Sequence, residues 1–356
     1  MSDLSLSIAI DPLLNFLSGL LNTPSPTGYA AVEAIPYVET ALRDLNWPGA
    51  QFRRTPKGAL LLDLPGQSDS APRAITAHVD TLGAMVAEVK ANGRLRLTQL
   101  GGYMWNALEN ESVTIRSRDN RRFRGSVLTS KASTHAYGAE SGHLERTSDV
   151  MEVRIDARTM SAADTRALGI EIGDFVFFDP RVEVTDTGFV RSRHLDDKAS
   201  VAAIYAALAS LQMAGAGLAQ RTTILIAVDE EIGLGASVGL PDDLAELLVV
   251  DMAVLGAAQN SDEFTAGICV KDSGGPYNLA LTDKLIRLAE RAQIAYKLDV
   301  YPYYGSDGGA YARAGGQARV GLIGPGVDAS HAYERTHCDG LSHTAQLVAH
   351  YLAAAD

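Results

Sequence analysis

Histidines and carboxylates gather in this 356-residue chain at the ends of apolar segments, where such side chains commonly bind metal ions. In Ala74-Ile75-Thr76-Ala77-His78-Val79-Asp80, strand alternation points His78 and Asp80 the same way. Such a pair can supply two ligands, or one ligand and the acid that orients it. A hydrogen-bonded histidine at a strand end is the plainer account. In His194-Leu195-Asp196-Asp197-Lys198, an acid at a strand-to-helix turn can cap the helix, reach a metal, or do both. Sharper is Asp229-Glu230-Glu231-Ile232-Gly233, three carboxylates directly after the apolar run 222–228. Acids crowded at the end of a buried strand repel one another and hold their protons unless a cation is present. Leu247-Leu248-Val249-Val250-Asp251 repeats the pattern with one acid, and the strand 319–324 leads into Ser330-His331-Ala332-Tyr333-Glu334-Arg335-Thr336-His337.

Oxygen and imidazole donors without thiolate suit zinc, cobalt or manganese. Five ligating side chains are too many for one catalytic zinc but suit two ions that share a bridging carboxylate. Two ions about 3.5–4 Å apart can clamp a water and stabilise a tetrahedral oxyanion. A spare carboxylate then serves as base, and later as acid to a leaving amine.

The elements that would bring these groups together follow from periodicity. From Asp196 onward strand and helix alternate: helix 198–213, strand 222–228, helix 241–247, strand 247–250, helix 277–292, strand 296–301, a short helix near 308–314 and strand 318–323. This alternation implies an α/β fold, a mostly parallel sheet flanked by helices. In such a sheet, ligands bind outside the carboxyl ends of the strands, where His78, Asp80, Glu230, Glu231, Asp251 and His331 fall. The N-terminal part offers helices over 11–21 and 29–45 and strands over 58–64 and 74–79. Between about Ala87 and Arg193, short alternating runs at 94–100, 112–116, 123–128, 151–155, 175–178 and 189–193 suggest a small barrel or sandwich. The polar stretch 129–149 reads as an exposed loop. The expected organisation is a catalytic domain of residues 1–86 and 194–356, with a β-rich domain of residues 87–193 inserted in it.

The formal net charge of −12 disfavours nucleic acid and anionic membranes as partners. Two widely separated cysteines, Cys269 and Cys338, suggest thiols in a reducing compartment rather than a disulfide framework. The start, Met-Ser-Asp-Leu-Ser-Leu, lacks the basic region and long apolar core of a signal peptide, and no apolar run approaches a membrane span. A cytoplasmic location is expected.

Taken together, these residues resemble the co-catalytic metallopeptidases that include glutamyl aminopeptidase and the tetrahedral (TET) aminopeptidases. The resemblance runs from Thr23-Pro24-Ser25-Pro26-Thr27-Gly28-Tyr29 through His78-Val79-Asp80 and, more loosely, 168–174. It resumes at Leu195-Asp196-Asp197-Lys198, Asp229-Glu230-Glu231-Ile232-Gly233-Leu234 and Gly305-Ser306-Asp307. It implies that Asp196 bridges two metals, that Glu231 and His331 complete one site, and that His78 and Asp251 complete the other. By the same resemblance Glu230 is the general base and Asp80 orients His78. It also implies homo-oligomers, from dimers up to dodecamers, supported by the inserted domain. Two departures stand out. Glu334 follows His331 by three residues where the family has four, which leaves His337 as a rival last ligand, and Asp197-Lys198 replaces the more frequent Asn-Arg. The expected activity is release of N-terminal residues from short peptides, with two zinc or cobalt ions, or manganese, as cofactors. A two-metal deacylase or amidohydrolase and a non-catalytic metal-binding assembly protein are the alternatives.

Overall fold

The computed structural model describes residues 6–355, so the first five residues, read above for a targeting signal, lie outside it. Two helices open the chain, α1 (Ile10–Leu21) and α2 (Ala34–Asp44). The first buries Leu13, Phe16, Leu17, Leu20 and Leu21, the three-and-four spacing of a single helix face. The second starts later than its periodicity suggests, because residues 27–33 form turns with Gly28 at φ +87°. Strands β1 (Gln51–Arg54), β2 (Leu60–Leu64) and β3 (Gly66–His78) follow.

The next six strands are β4 (Gly83–Val89), β5 (Leu95–Leu100), β6 (Ser112–Arg116), β7 (Arg122–Thr129), β8 (Met151–Ile155) and β9 (Phe175–Phe178). They close into a barrel in the order β4-β5-β8-β7-β6-β9. Alternate residues such as Ala84 and Val86, Leu95 and Leu97, and Val113 and Ile115 fill its interior. The stretch 129–149, expected to be a loop, carries two one-turn helices, α3 (Thr134–Tyr137) and α4 (Glu140–His143), with no buried residue in either. A third short helix, α5 (Ala162–Ala167), precedes β9. Beyond the barrel, β10 (Glu183–Val184) and β11 (Phe189–Ser192) lead to the long helix α6 (Leu195–Met213). The run at 189–193 therefore lies outside the barrel, with β11 in a separate three-stranded sheet.

The remaining elements are β12 (Leu218–Ala227), β13 (Glu246–Val250), β14 (Ala253–Val254), β15 (Ala266–Asp272), β16 (Gly275–Pro276), α7 (Leu279–Arg291), β17 (Tyr296–Val300), α8 (Asp307–Arg313), β18 (Arg319–Val327), β19 (Glu334–His337) and α9 (Cys338–Ala353). The helix expected over 241–247 does not form. Residues 241–245 are turn and coil, and the apolar run from Glu246 is claimed as a strand by parallel pairing with β3 on one side and β18 on the other. The fold is thus a mixed α/β structure with a mostly parallel sheet and a closed six-stranded barrel.

Strand order is what positions the chemistry. At the centre of the large sheet lie β12, β3, β13 and β18, mutually parallel and adjacent in that order. Their buried residues, such as Ile224, Ile75, Leu248 and Ile323, are apolar on both faces because helices cover the sheet. Helices α6 and α9 pack together there, α1 lies against α6, and α8 lies against β3 and β13. All four strands point the same way, so the residues just past their carboxyl ends share one rim.

Candidate metal centre

Past β3 comes His78-Val79-Asp80, past β12 comes Asp229-Glu230-Glu231, past β13 comes Asp251, and the loop after β18 carries His331. Asp196 enters from the turn between β11 and α6. Here the regular helix begins only at Lys198, because Asp196 and Asp197 have non-helical dihedrals. Asp196 stands between the two histidines, with Oδ1 3.2 Å from Nε2 of His78 and Oδ2 3.4 Å from Nε2 of His331. Glu231 Oε2 lies 3.8 Å from His331 Nε2, and Glu230 Oε2 lies 3.8 Å from His78 Nε2. The candidate ligand atoms of His78, Asp196 and Asp251 all fall within 4.8 Å of one another.

Both imidazoles are aimed by what holds their other nitrogen. Nδ1 of His78 lies 2.9 Å from the carbonyl oxygen of Asp80, and Nδ1 of His331 lies 2.5 Å from that of Gly102. A carbonyl only accepts, so each Nδ1 must carry the hydrogen, and each Nε2 faces the centre. Asp80 thus orients His78 through its backbone; its carboxylate Oδ1 is farther away, at 3.6 Å. That carboxylate instead accepts the Thr27 hydroxyl at 2.7 Å and the backbone N–H groups of Glu230 at 3.1 Å and Glu231 at 3.3 Å. The Thr-Pro-Ser-Pro-Thr segment is thereby tied to the acids after β12.

Three supporting acids were less legible in the sequence. Glu334, buried, accepts the backbone N–H of His331 at 3.0 Å with one oxygen and that of Asp196 at 3.1 Å with the other. Asp307, in the Gly-Ser-Asp motif, accepts the Thr76 hydroxyl at 2.5 Å and the Ala236 N–H at 2.9 Å, tying the loop after Glu231 to β3. Asp197 turns back to accept the His78 N–H at 3.3 Å. The neighbouring Lys198 is buried and donates to the carbonyls of Leu20 at 3.0 Å and Thr23 at 2.8 Å. The rival His337 stands elsewhere. Its ring caps α9, accepting the Asp339 N–H at 3.1 Å on Nδ1 and meeting the Thr187 carbonyl at 2.9 Å through Nε2. Both of its nitrogens are taken.

Electrostatics at the centre test whether cations belong there. Burial, reinforced by Asp196, pushes the Glu231 carboxyl up to about 8 and that of Asp251 up to about 7. Burial also raises Glu230 well above the usual range, with Asp251, Asp307 and Glu231 adding to it. Asp196 is the exception. Burial opposes its ionisation, but hydrogen bonds to His331 and His78 outweigh it and hold the carboxyl low. His331 would be lowered by burial, yet Asp196 and Glu231 raise it to about 10. Protons and imidazolium charge fill the role that divalent ions fill among such donors. The all-oxygen and imidazole donor set fits a divalent metal.

A family model described as M42 glutamyl aminopeptidase matches residues 58–347, most of the chain and all of this rim. The chain belongs to the M42 glutamyl aminopeptidase family. M42 peptidases are metal-dependent, and this one is a peptide hydrolase of that family with a group of residues able to hold a metal. A Bacillus subtilis (strain 168) protein named "Putative aminopeptidase YhfE" is 45% identical over 339 residues, 95% of this chain and 96% of the relative. The TET aminopeptidase of Thaumarchaeota archaeon SCGC AB-539-E09 superposes with a TM-score of 0.86, 17% identity and 97% of each chain covered. A Pyrococcus horikoshii TET1 peptidase, described as assembling into a tetrahedron or a large octahedral shell, gives 0.81, with 19% identity over 96% of this M42 chain and 99% of its own. At these identities the two structures speak for the fold.

Proposed function

We propose that this M42 peptidase releases N-terminal residues from short peptides, using two divalent cations held by His78, Asp196, Glu231, Asp251 and His331. The observation that carries this reading is Asp196, which offers one carboxylate oxygen to each histidine. That is how a carboxylate shared by two ions would lie, with His78 and Asp251 on one side and Glu231 and His331 on the other. Zinc or cobalt suits the donors best, with manganese next. Bound there, such ions would polarise a peptide carbonyl and make water more acidic.

The chain's own residues divide the remaining work. Glu230, whose side chain is 16% exposed against 4% for Glu231, is the more exposed of the two acids. Its backbone is pinned by Asp80, and its surroundings favour the protonated form. That preference is set by burial and the neighbouring carboxylates without any cation; beside bound cations Glu230 would be ionised, and could then take a proton from attacking water and return it to the departing amine. Glu231 and Asp251, deeper in the centre, hold charge in place. The carbonyls of Asp80 and Gly102 keep both imidazoles turned inward throughout.

Glu230→Gln keeps the shape and removes the base. Purified variant should retain both metals by elemental analysis while turnover of aminoacyl anilides falls by about 10²–10⁴-fold; full activity would overturn the assignment. Asp196→Ala should lose metal altogether. Free aminoacyl anilides should be cleaved and N-acylated ones left intact, which separates this reading from a deacylase, while metal-dependent turnover of either separates it from a non-catalytic assembly protein.

We further propose the organisation expected from the sequence, a catalytic domain interrupted by an inserted β-rich one, with the first boundary moved from 86/87 to just before β4 (Gly83–Val89), which belongs to the barrel, and homo-oligomerisation in solution. The support for assembly is the architecture shared with archaeal structures described as large shells. Light scattering that returns a monomer mass would overturn it.

A further inference from the structure

His331 is the most exposed of the proposed ligands. Its side chain is 40% exposed against 2% for His78. It sits in a loop rather than at a strand end, at φ +65°, a region that residues other than glycine seldom adopt. Its imidazole is held from the barrel side, by the carbonyl of Gly102 just after β5.

The residues that follow it are held from the same direction. Arg193, 3% exposed, reaches two segments at once. One guanidinium nitrogen bonds the carbonyl of Ala332, next to His331, at 3.1 Å, and another bonds the carbonyl of Ala107, between β5 and β6. Glu111, also between β5 and β6, balances the charge at 3.2 Å. The same Glu111 oxygen receives Arg181 at 2.9 Å. Arg181 in turn lies 4.0 Å over the ring of Tyr333, whose hydroxyl donates to the Arg181 carbonyl at 2.9 Å. Ala332 and Tyr333 are therefore both clamped through one barrel carboxylate.

We infer that Arg193, acting with Glu111, is a positioning residue that holds the His331 loop against the barrel and so sets the affinity of the half-site formed by His331 and Glu231. This rests on the two-cation reading above. His78 and Asp251 follow directly from β3 and β13 and His78 is oriented by Asp80, so it is the shared Asp196, whose N–H is held by Glu334 together with that of His331, that links the second half-site to the clamp. A residue that merely glued barrel to sheet would weaken both half-sites together.

The test compares full-length wild type, Arg193→Met and Glu111→Gln, all stripped of metal. Cobalt titration followed by calorimetry and visible absorption should show two uptake steps in wild type. In Arg193→Met one step should weaken by about 10–100-fold, the usual effect of losing a group that orients a ligand, while the other stays within about twofold. Arg193→Lys, which keeps the charge but not the two-carbonyl span, should recover only part of the loss. Amide exchange measured without metal should quicken at 328–334 and not in β3 or β13. Two steps that shift equally, or unchanged steps with unchanged exchange, would overturn the inference. A wild type that takes up one equivalent or none overturns the two-cation reading, and the metal-free exchange then decides the clamp on its own. Should Arg193→Met not fold, Glu111→Gln, which leaves the guanidinium in place, carries the same comparison.

Discussion

Asp80 shows how much a single carboxylate can organise. It accepts one hydroxyl and two backbone N–H groups, and the N–H donors belong to the proposed base and the ligand beside it. Asp80→Asn replaces one acceptor oxygen with an NH₂ group that has only hydrogens to offer. At least one buried N–H then loses its partner, which costs about 1–3 kcal/mol. Urea unfolding of the metal-free protein should show that loss, and kcat should fall more than KM rises, because Glu230 moves with its backbone. An unchanged midpoint would mean the cradle is not needed. The choice between His331 and His337 belongs to this scale too. Sequence offered both on one short segment; the structure separates them because His337 is consumed as a helix cap.

Among the elements, α2 is fastened to β1 through Glu39, which takes both Arg43 and Arg54 in two-pronged hydrogen bonds. Burial opposes ionisation of Glu39, but the bonds from the two arginines outweigh it and lower its pKa. The ionised form is thus favoured by folding. Its contribution is complete above the ordinary glutamate value of about 4.3 and disappears as pH falls through the lowered one. Because both arginines are substantially exposed, the effect should be no more than about 1 kcal/mol. Glu39→Gln should show that deficit in urea midpoints at pH 7, and the deficit should shrink as pH falls below the ordinary glutamate range. Elements were legible where alternation was clean: the strand expectations at 112–116, 151–155 and 175–178 coincide with β6, β8 and β9. Others were hidden for identifiable reasons. β15 contains Gly267, where an added Cβ would come within 2.5 Å of the Ala253 side chain, and glycine in a strand weakens its signal. β4 has its alternation broken by a register shift between Val86 and Glu88, and α9 opens with Cys-Asp-Gly, a poor helical start. The strand-end acids were visible because buried strands are apolar and the acids are not. The contacts through Gly102, Arg193 and Glu111 join residues at least seventy positions apart and left no local pattern.

For the molecule as a whole, the rim draws on positions from His78 to His331, so any cation bound there acts on the folded chain and not on its unfolded segments. At a hundredfold excess over its Kd, such an ion stabilises the native state by about 2.7 kcal/mol. Zinc or cobalt should raise the melting temperature, chelation should reverse the rise, and Asp196→Ala should abolish it; a metal-independent melting temperature would speak against the centre. The strand order has a consequence for biosynthesis. The central strand β3 ends at His78, but its neighbours β12 and β13 begin only at Leu218 and Glu246. Every pairing of the barrel lies within 83–178 and can be completed first. At roughly 5–20 residues per second, a ribosome leaves β3, whose residues 72–78 are buried in the finished fold, without its neighbours for about 7–28 s. Late in that interval, once β9 has been made, the nascent chain is a finished barrel preceded by an unpaired strand destined for the core, so the yield of soluble protein in the cell should depend on chaperone capacity well before the activity of the finished enzyme does.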